Sequence, residues 1–265
     1  MSCKQTNRIN IAITVIGLVM AALVSRPAAA ATIDIYDGLG SDFAPLSTYF
    51  TGFGYTVNAL TSSFSSLAGA SFVDLDLPAF ALSGAQLTTI DAYVDGGGRL
   101  LLNSEYNTFS PNGIADDNAI LASLGSTMSI LSTSSVTGYH DTKDIVSNAF
   151  TAGVSDINYG DTSSISLGAG GTALAYGDPG TDDTQLFVAY QAIGAGDVFV
   201  ITDSDTADNI NLTTTNNNGI LYCDFGGLSC ASTPAATPEP ASLLMIGTGL
   251  LLLGLARTAK GKFLS

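Results

Sequence analysis

The sequence predicts an α/β fold, with an open and largely parallel sheet in its first half and a β-rich second half. Between residues 31 and 124, short apolar runs alternate with segments whose apolar residues recur at helical spacing. Strands and helices that alternate at such short intervals are typical of parallel sheets. After residue 124, most of the apolar runs follow one another across glycine turns. We therefore expect consecutive strands there.

The first half contains four predicted strands and three predicted helices. Asp42 and Ser83 are the residues expected to cap the first two helices, and the glycines at 96–98 end the second one. The fourth predicted strand contains three consecutive leucines, which is typical of a buried strand. The predicted strands cover 33–36, 55–60, 72–77 and 99–103, and the helices begin at 42, run over 83–93 and cover 117–124.

The second half is predicted to be mostly strands, followed by a polar loop over 203–218. A last helix is expected to begin at Asn218, and a small-residue Ser/Thr/Pro linker occupies 231–237. The predicted strands cover 127–131, 163–167, 172–176, 186–190 and 198–202.

The N-terminal 30 residues have the organisation of a secretory signal peptide. Lys4 and Arg8 precede an apolar core over 9–24, and three alanines end at Ala30. This order predicts export and cleavage before Ala31. An uncleaved N-terminal anchor is the alternative.

The C-terminal 28 residues combine a short rigid motif, an apolar run over 241–256 and a basic cluster. The motif and the cluster are Pro238, Glu239, Pro240, Arg257, Lys260 and Lys262. This order resembles the PEP-CTERM tail, which implies processing by an exosortase-like enzyme, a transient stay in the inner membrane, and a final place at the cell surface or in an exopolysaccharide matrix. The 16-residue run spans about 24 Å as a helix, which is short for a bilayer. A permanent single-span anchor is the alternative.

The segment between the two ends, residues 31–237, is strongly acidic. It contains 22 of the chain's 23 acidic residues, whereas Arg99 and Lys143 are its only lysine or arginine residues. Such a surface excludes nucleic acid as a partner, because binding to a phosphate backbone depends on lysine and arginine. It would attract divalent cations or basic partners, although solubility outside the cell explains the same composition.

Cys223 and Cys230 are the cysteines left after signal-peptide removal. In an exported domain this pair predicts one disulfide that closes a small loop around two glycines. Two reduced, buried thiols are the alternative.

A second resemblance covers most of residues 33–225. The helix that ends in Asp91-Ala92-Tyr93-Val94-Asp95 and three glycines, and the later segment from Gly194 to Ser204, resemble flavodoxin-like domains related to class I glutamine amidotransferases. That resemblance implies a flavodoxin-like sheet. The family works through a cysteine on a sharp turn after a central strand.

The corresponding turn here reads Asn103-Ser104-Glu105-Tyr106 and carries no cysteine, so a thiol mechanism is not expected. A serine hydrolase would need a base, and His140 is the chain's only histidine. Ser104, Glu105 and His140 are therefore the catalytic candidates. The alternative is that Ser104 and Glu105 make local turn contacts, while His140 lies in a solvated loop.

Two acidic clusters in polar loops are the candidate ligand sites. Clustered carboxylates on loops are the ligands that Ca²⁺ takes, and solvated loop faces are the alternative. Calcium is thus the only cofactor suggested; the residues are Asp178, Asp182 and Asp183 in one loop and Asp203, Asp205 and Asp208 in the other.

Taken together, these features predict four parts: a signal peptide (1–30), an acidic α/β domain (31–230), a linker (231–237) and a sorting tail (238–265). The expected function is that of an exported surface or matrix protein whose domain binds a partner or has a structural role. The alternative is a secreted hydrolase on an amidotransferase-like scaffold without the usual cysteine.

Overall fold

The computed structural model describes residues 30–38, 42–76, 81–106, 113–135, 138–178, 184–208, 211–212 and 218–230. The predicted signal peptide up to Ala29, the linker and the sorting tail with its apolar run lie outside the described residues. Within them, no helix combines the length and the apolar character needed to cross a bilayer.

The described part is one mixed α/β unit over Ala30–Cys230. Its helices are α1 (Phe43–Gly52), α2 (Gly84–Asp95), α3 (Gly113–Ser123) and α4 (Asn218–Gly226). Its strands are β1 (Thr32–Asp37), β2 (Thr56–Ala59), β3 (Ala70–Asp76), β4 (Arg99–Asn103), β5 (Ser129–Ser135), β6 (His140–Thr142), β7 (Ile157–Tyr159), β8 (Thr162–Ser166), β9 (Thr172–Tyr176), β10 (Leu186–Ile193) and β11 (Gly196–Ile201).

Within the described ranges, seven strands form the main sheet, in the order β2-β1-β3-β4-β11-β10-β9. The first five are parallel to one another, and β10 and β9 extend the sheet as antiparallel strands. The two smaller sheets pair β5 with β8 and β6 with β7. The predicted α/β fold with a mostly parallel sheet is confirmed, and the order of the parallel strands is consistent with a flavodoxin-like fold.

A hydrophobic core lies on each face of the main sheet, because the strand side chains alternate between the faces. On one face, Phe50 of α1 and Phe225 of α4 belong to the same buried cluster as Phe72 and Phe199 of the sheet. On the other face, Ile90 of α2 and Ile120 of α3 are buried with leucines and valines of β3, β4 and β11.

The helix starts show how local sequence determines these elements. Ser83 caps α2 through a capping box, in which its side chain accepts from the backbone N–H of Gln86 and the Gln86 side chain accepts in return from Ser83. Asp42 precedes α1 as expected, but its side chain makes no capping hydrogen bond. Asp37 takes over that role by accepting from the backbone N–H groups of Asp42 and Phe43, at 2.9 and 2.8 Å.

Several predicted bounds were wrong. Helix α3 begins four residues earlier than predicted, and β5 runs from Ser129 to Ser135 instead of over 127–131. Strands β6 and β7 were not predicted, because three-residue strands containing polar residues leave no periodic signal. The loop after β11 contains a 3-10 turn over Ser204–Ala207.

Candidate functional site

The candidate site lies at the carboxyl ends of the parallel strands. In open α/β sheets, ligands bind beyond these ends, near the point where the strand order changes direction. That point lies here between β1 and β3, which are followed in the sheet by β4 and β11. All four strands end in or lead into polar residues, namely Asp37, Asp76, Asn103 with Ser104 and Glu105, and Asp203.

Ser104 is completely buried. Its backbone N–H donates to the carbonyl of Ile201 at 2.7 Å, which continues the pairing of β4 with β11. Burial raises the pKa of the Asp117 carboxyl in α3 to about 8. The candidate nucleophile is thus held away from solvent, and its hydroxyl has no hydrogen-bond partner among the described residues.

Glu105 connects the ends of two neighbouring strands. Its Oε2 accepts hydrogen bonds from the hydroxyl and the backbone N–H of Ser204, at 2.7 and 3.3 Å, and its Oε1 accepts from the N–H of Tyr106 at 2.8 Å. Burial raises the pKa of Glu105 to about 7, even though these hydrogen bonds favour the charged form. This carboxyl is therefore able to gain and lose a proton near neutral pH.

Asp203 is buried and held by backbone donors. One of its oxygens accepts from Gly160 N–H and the other accepts from Asp205 N–H at 3.0 Å. Burial, and then the charge of Glu105, raise the pKa of Asp203 well above its usual value. Its oxygens thus already have protein donors, which favours a structural role.

Of the two predicted calcium clusters, the structure describes one in full and only Asp178 of the other. In the described ranges, no three acidic, histidine or cysteine side chains are arranged to hold a metal ion. Asp205 instead accepts a hydrogen bond from Tyr139, and Asp208 is half-buried nearby. Asp178 is described in the other loop, but Asp182 and Asp183 lie outside the described residues.

His140 belongs to β6 and pairs across the small sheet with Tyr159, with 6.2 Å between their ring centres. Both His140 and Ser104 are described, and no hydrogen bond joins them in this part of the chain. The expectation that His140 lies in a loop was wrong, because the residue is part of a strand.

Sequence reasoning missed a set of carboxyls beneath the β1 and β3 ends. Asp74 and Asp76 are both fully buried, and their spacing of two places them on the face of β3 that carries Phe72. Asp42 is 2% exposed, and its charge acts on both of them. The alternation Asp74-Leu75-Asp76 was a signal that could have been read, since two carboxyls on one face of a buried strand are uncommon.

Polar residues of β4 and α4 complete this cluster. The side-chain amide of Asn103 donates to the Tyr222 hydroxyl at 3.1 Å, and that hydroxyl lies 2.9 Å from the Thr206 hydroxyl. Burial raises the pKa of Tyr222 well above its usual value, and the charges of Asp74 and Asp76 add to the effect.

The sulfur atoms of Cys223 and Cys230 are bonded to each other at the end of α4. Arg99 lies beside this end and donates to the carbonyls of Asp224 and Phe225, at 3.2 and 3.3 Å. A cation is favourable at a helix C-terminus, so Arg99 and the disulfide together stabilise the end of the described domain.

Comparisons with known proteins support the fold and leave the activity open. No protein-family model matches this chain, and no curated protein matches it. Three similar solved structures are the N-terminal domain of mmIFT52, a ThuA-like protein from Parabacteroides merdae and a GMP synthase-like protein from Thermoplasma acidophilum.

These structures share the architecture at low sequence identity. The mmIFT52 domain has a TM-score of 0.57 at 12% identity, over 72% of this chain and 93% of that chain. The ThuA-like protein has a TM-score of 0.53 at 13% identity, over 76% of this chain and 90% of that chain. The GMP synthase-like protein has a TM-score of 0.50 at 13% identity, over 78% of this chain and 96% of that chain. At such identities the likeness concerns the fold alone.

Proposed function

We propose that this chain is an exported cell-surface or extracellular-matrix protein, sorted through a PEP-CTERM-like tail, whose central domain is a non-catalytic binding or structural module. Export and sorting rest on the two sequence ends, with an exosortase-like enzyme as processing partner. Exopolysaccharide or another matrix component is the ligand that this location favours.

The observation that carries the non-catalytic part is the burial of Ser104 after β4. Related scaffolds place a cysteine on the corresponding turn, where a nucleophile has to meet its substrate. Here Ser104 is 0% exposed and its hydroxyl has no hydrogen-bond partner among the described residues, while the His140 ring lies 6.2 Å from the ring of Tyr159. A serine without solvent access or a neighbouring base is a poor nucleophile.

The surface near the end of β11 supports binding. Tyr139 is 58% exposed, and its hydroxyl donates to the Asp205 carboxylate. An aromatic ring that is fixed by its polar tip beside acidic oxygens offers both an apolar face and hydrogen-bond acceptors. Sugars present the matching combination of C–H faces and hydroxyl donors.

A binding assay with the host's own exopolysaccharide tests this function. The mature protein should co-sediment with the polymer, and Tyr139→Ala should weaken binding at least fivefold. Leu131→Ala is the matched control, because Leu131 is also a large apolar residue that is exposed, at 42%. Equal binding by both variants would rule out Tyr139 as a contact, and no binding by the wild type would remove the matrix ligand from the proposal.

A secreted hydrolase is the second candidate. The pair formed by Glu105 and Ser204 favours it, because a carboxyl accepts from the Ser204 hydroxyl, although Ser204 is also buried at 5% exposure. Glu105 has a pKa of about 7 and accepts from the Ser204 hydroxyl, and perturbed carboxyls are frequent at catalytic sites. Glu105→Gln and Ser204→Ala should then each abolish a measured esterase or amidase activity, whereas Ser104→Ala should not. Activity that survives both changes would reject this candidate.

A further inference from the structure

The carboxyl of Asp74 is in an environment that disfavours its charge. It lies inside the described domain with no exposure, and neither of its oxygens has a hydrogen-bond partner. An ionised carboxylate that is buried without a partner is strongly unfavourable. The neutral acid is the form that this environment tolerates.

The charged groups around Asp74 and Asp76 are acidic as well. Asp42 precedes α1, and Asp37 ends β1; both act on Asp74 and Asp76 through their charge. From α4, the Tyr222 hydroxyl is the titratable group that faces the pair. Arg99 is occupied elsewhere, 3.8 Å from Asp197. No cation among these neighbours compensates the pair.

Asp76 is in the same situation as Asp74. It is fully buried, and neither of its oxygens has a hydrogen-bond partner among the described residues. Asp37 accepts from the first N–H groups of α1, and the buried Asp42 makes no capping hydrogen bond there. Ionisation of Asp76 would therefore add a buried negative charge near the acidic start of α1.

We propose that Asp74 and Asp76 form a proton-dependent lock on the face of the sheet that α1 and α4 cover. The folded domain holds both residues as neutral acids, and their ionisation loosens α1 and α4 from the sheet. This inference does not rest on the proposed binding function, because it concerns the stability of the domain in any location.

The sign of the pH dependence follows from proton linkage. Burial, followed by the neighbouring acidic charges, holds the pKa of both carboxyls well above the value for an unfolded chain. The folded state therefore keeps protons that the unfolded state releases, and stability falls as pH rises. Each such proton increases the unfolding equilibrium constant by at most about tenfold per pH unit.

The test is urea denaturation of the full chain between pH 5 and pH 8. The free energy of unfolding of the wild type should fall as the pH rises. In Asp74→Asn and in Asp76→Asn this fall should be shallower, by the equivalent of up to one proton released on unfolding. Asp144→Asn, at an exposed aspartate, is the control and should keep the wild-type slope. If an asparagine variant does not fold, Asp74→Ser tests the same loss of charge with a smaller neutral side chain.

Two further outcomes would overturn the proposal. The first is a wild-type slope that persists in both asparagine variants. The second is full restoration of wild-type stability at pH 8 by Ca²⁺ or Mg²⁺ alone, with no such effect on Asp74→Asn, because a cation and not a proton would then neutralise the cluster.

Hydrogen exchange, corrected for the intrinsic effect of pH, tests where the domain loosens. Amides of α1 and α4 should lose protection between pH 5 and pH 8 before those of β10. Equal loss in all three elements would contradict a lock on this face.

Discussion

The Oε2 atom of Glu105 accepts a hydrogen bond of 2.7 Å from the hydroxyl of Ser204, which connects the end of β4 to the turn after β11. These strands are parallel neighbours in the sheet, with Asn103 in register with Ile201. The contact thus fixes the relative position of two loops at the candidate site.

Removing this hydroxyl should raise the pKa of Glu105 above its value of about 7. The Ser204 hydroxyl stabilises the charged carboxylate and so lowers the pKa of Glu105. In Ser204→Ala this hydrogen bond no longer opposes the effect of burial, which raises the pKa. NMR titration of a sample labelled at the glutamate side-chain carbons measures this directly. The chain has only two glutamates, Glu105 and Glu239, so Glu105→Gln assigns the signal. An unchanged or lower midpoint in Ser204→Ala would contradict the prediction.

Glu105 should also contribute to the pH dependence of stability. Its pKa is raised on folding, from an ordinary 4.5 to about 7, so its contribution is fully present below pH 4.5 and is lost as pH rises through 7. In urea denaturation, Glu105→Gln should therefore show a shallower loss of stability than wild type over that window. A parallel loss in both proteins would show that Glu105 keeps its ordinary pKa.

Ser83→Ala should lower the free energy of unfolding by about 1 kcal/mol, because α2 loses its N-terminal cap. The loss is that of the Ser83 half of the capping box, because the backbone N–H from which Gln86 accepts remains in the variant. Urea denaturation of Ser65→Ala is the control, because Ser65 is exposed in the preceding loop. Equal midpoints for both variants would show that the cap contributes nothing measurable.

Reduction of the Cys223–Cys230 disulfide should destabilise the domain by about 2 kcal/mol, from the chain entropy of a loop this short. Thermal unfolding with and without reductant measures the effect. Cys230→Ser should have the stability of the reduced wild type in both conditions and should not respond to reductant. A wild type that is equally insensitive would mean that the bond adds no stability.

The parallel part of the fold could be predicted because its signals are local. Apolar runs, the Ser83 cap and the glycines after α2 determine strand and helix positions within a few residues of sequence. Strands β6 and β7 could not be predicted in this way, because each has three residues and its stability comes from pairing with a distant segment.

The candidate site was harder to predict than the fold. Ser104 and Glu105 could be selected as residues after a central strand, but their burial depends on how α3 and the β11 turn pack over them. The cluster of Asp42, Asp74 and Asp76 depends on β1 and β3 being neighbours and on which face each side chain takes, which sequence spacing alone does not determine.

The intact mass of the mature protein, isolated from the envelope and the medium of its native host, tests the central claim most directly. The account predicts a chain that starts at Ala31 and ends near Pro238, with any excess mass coming from groups attached to the linker. A mass that runs to Ser265 would instead indicate a permanent membrane anchor and would contradict sorting into the matrix.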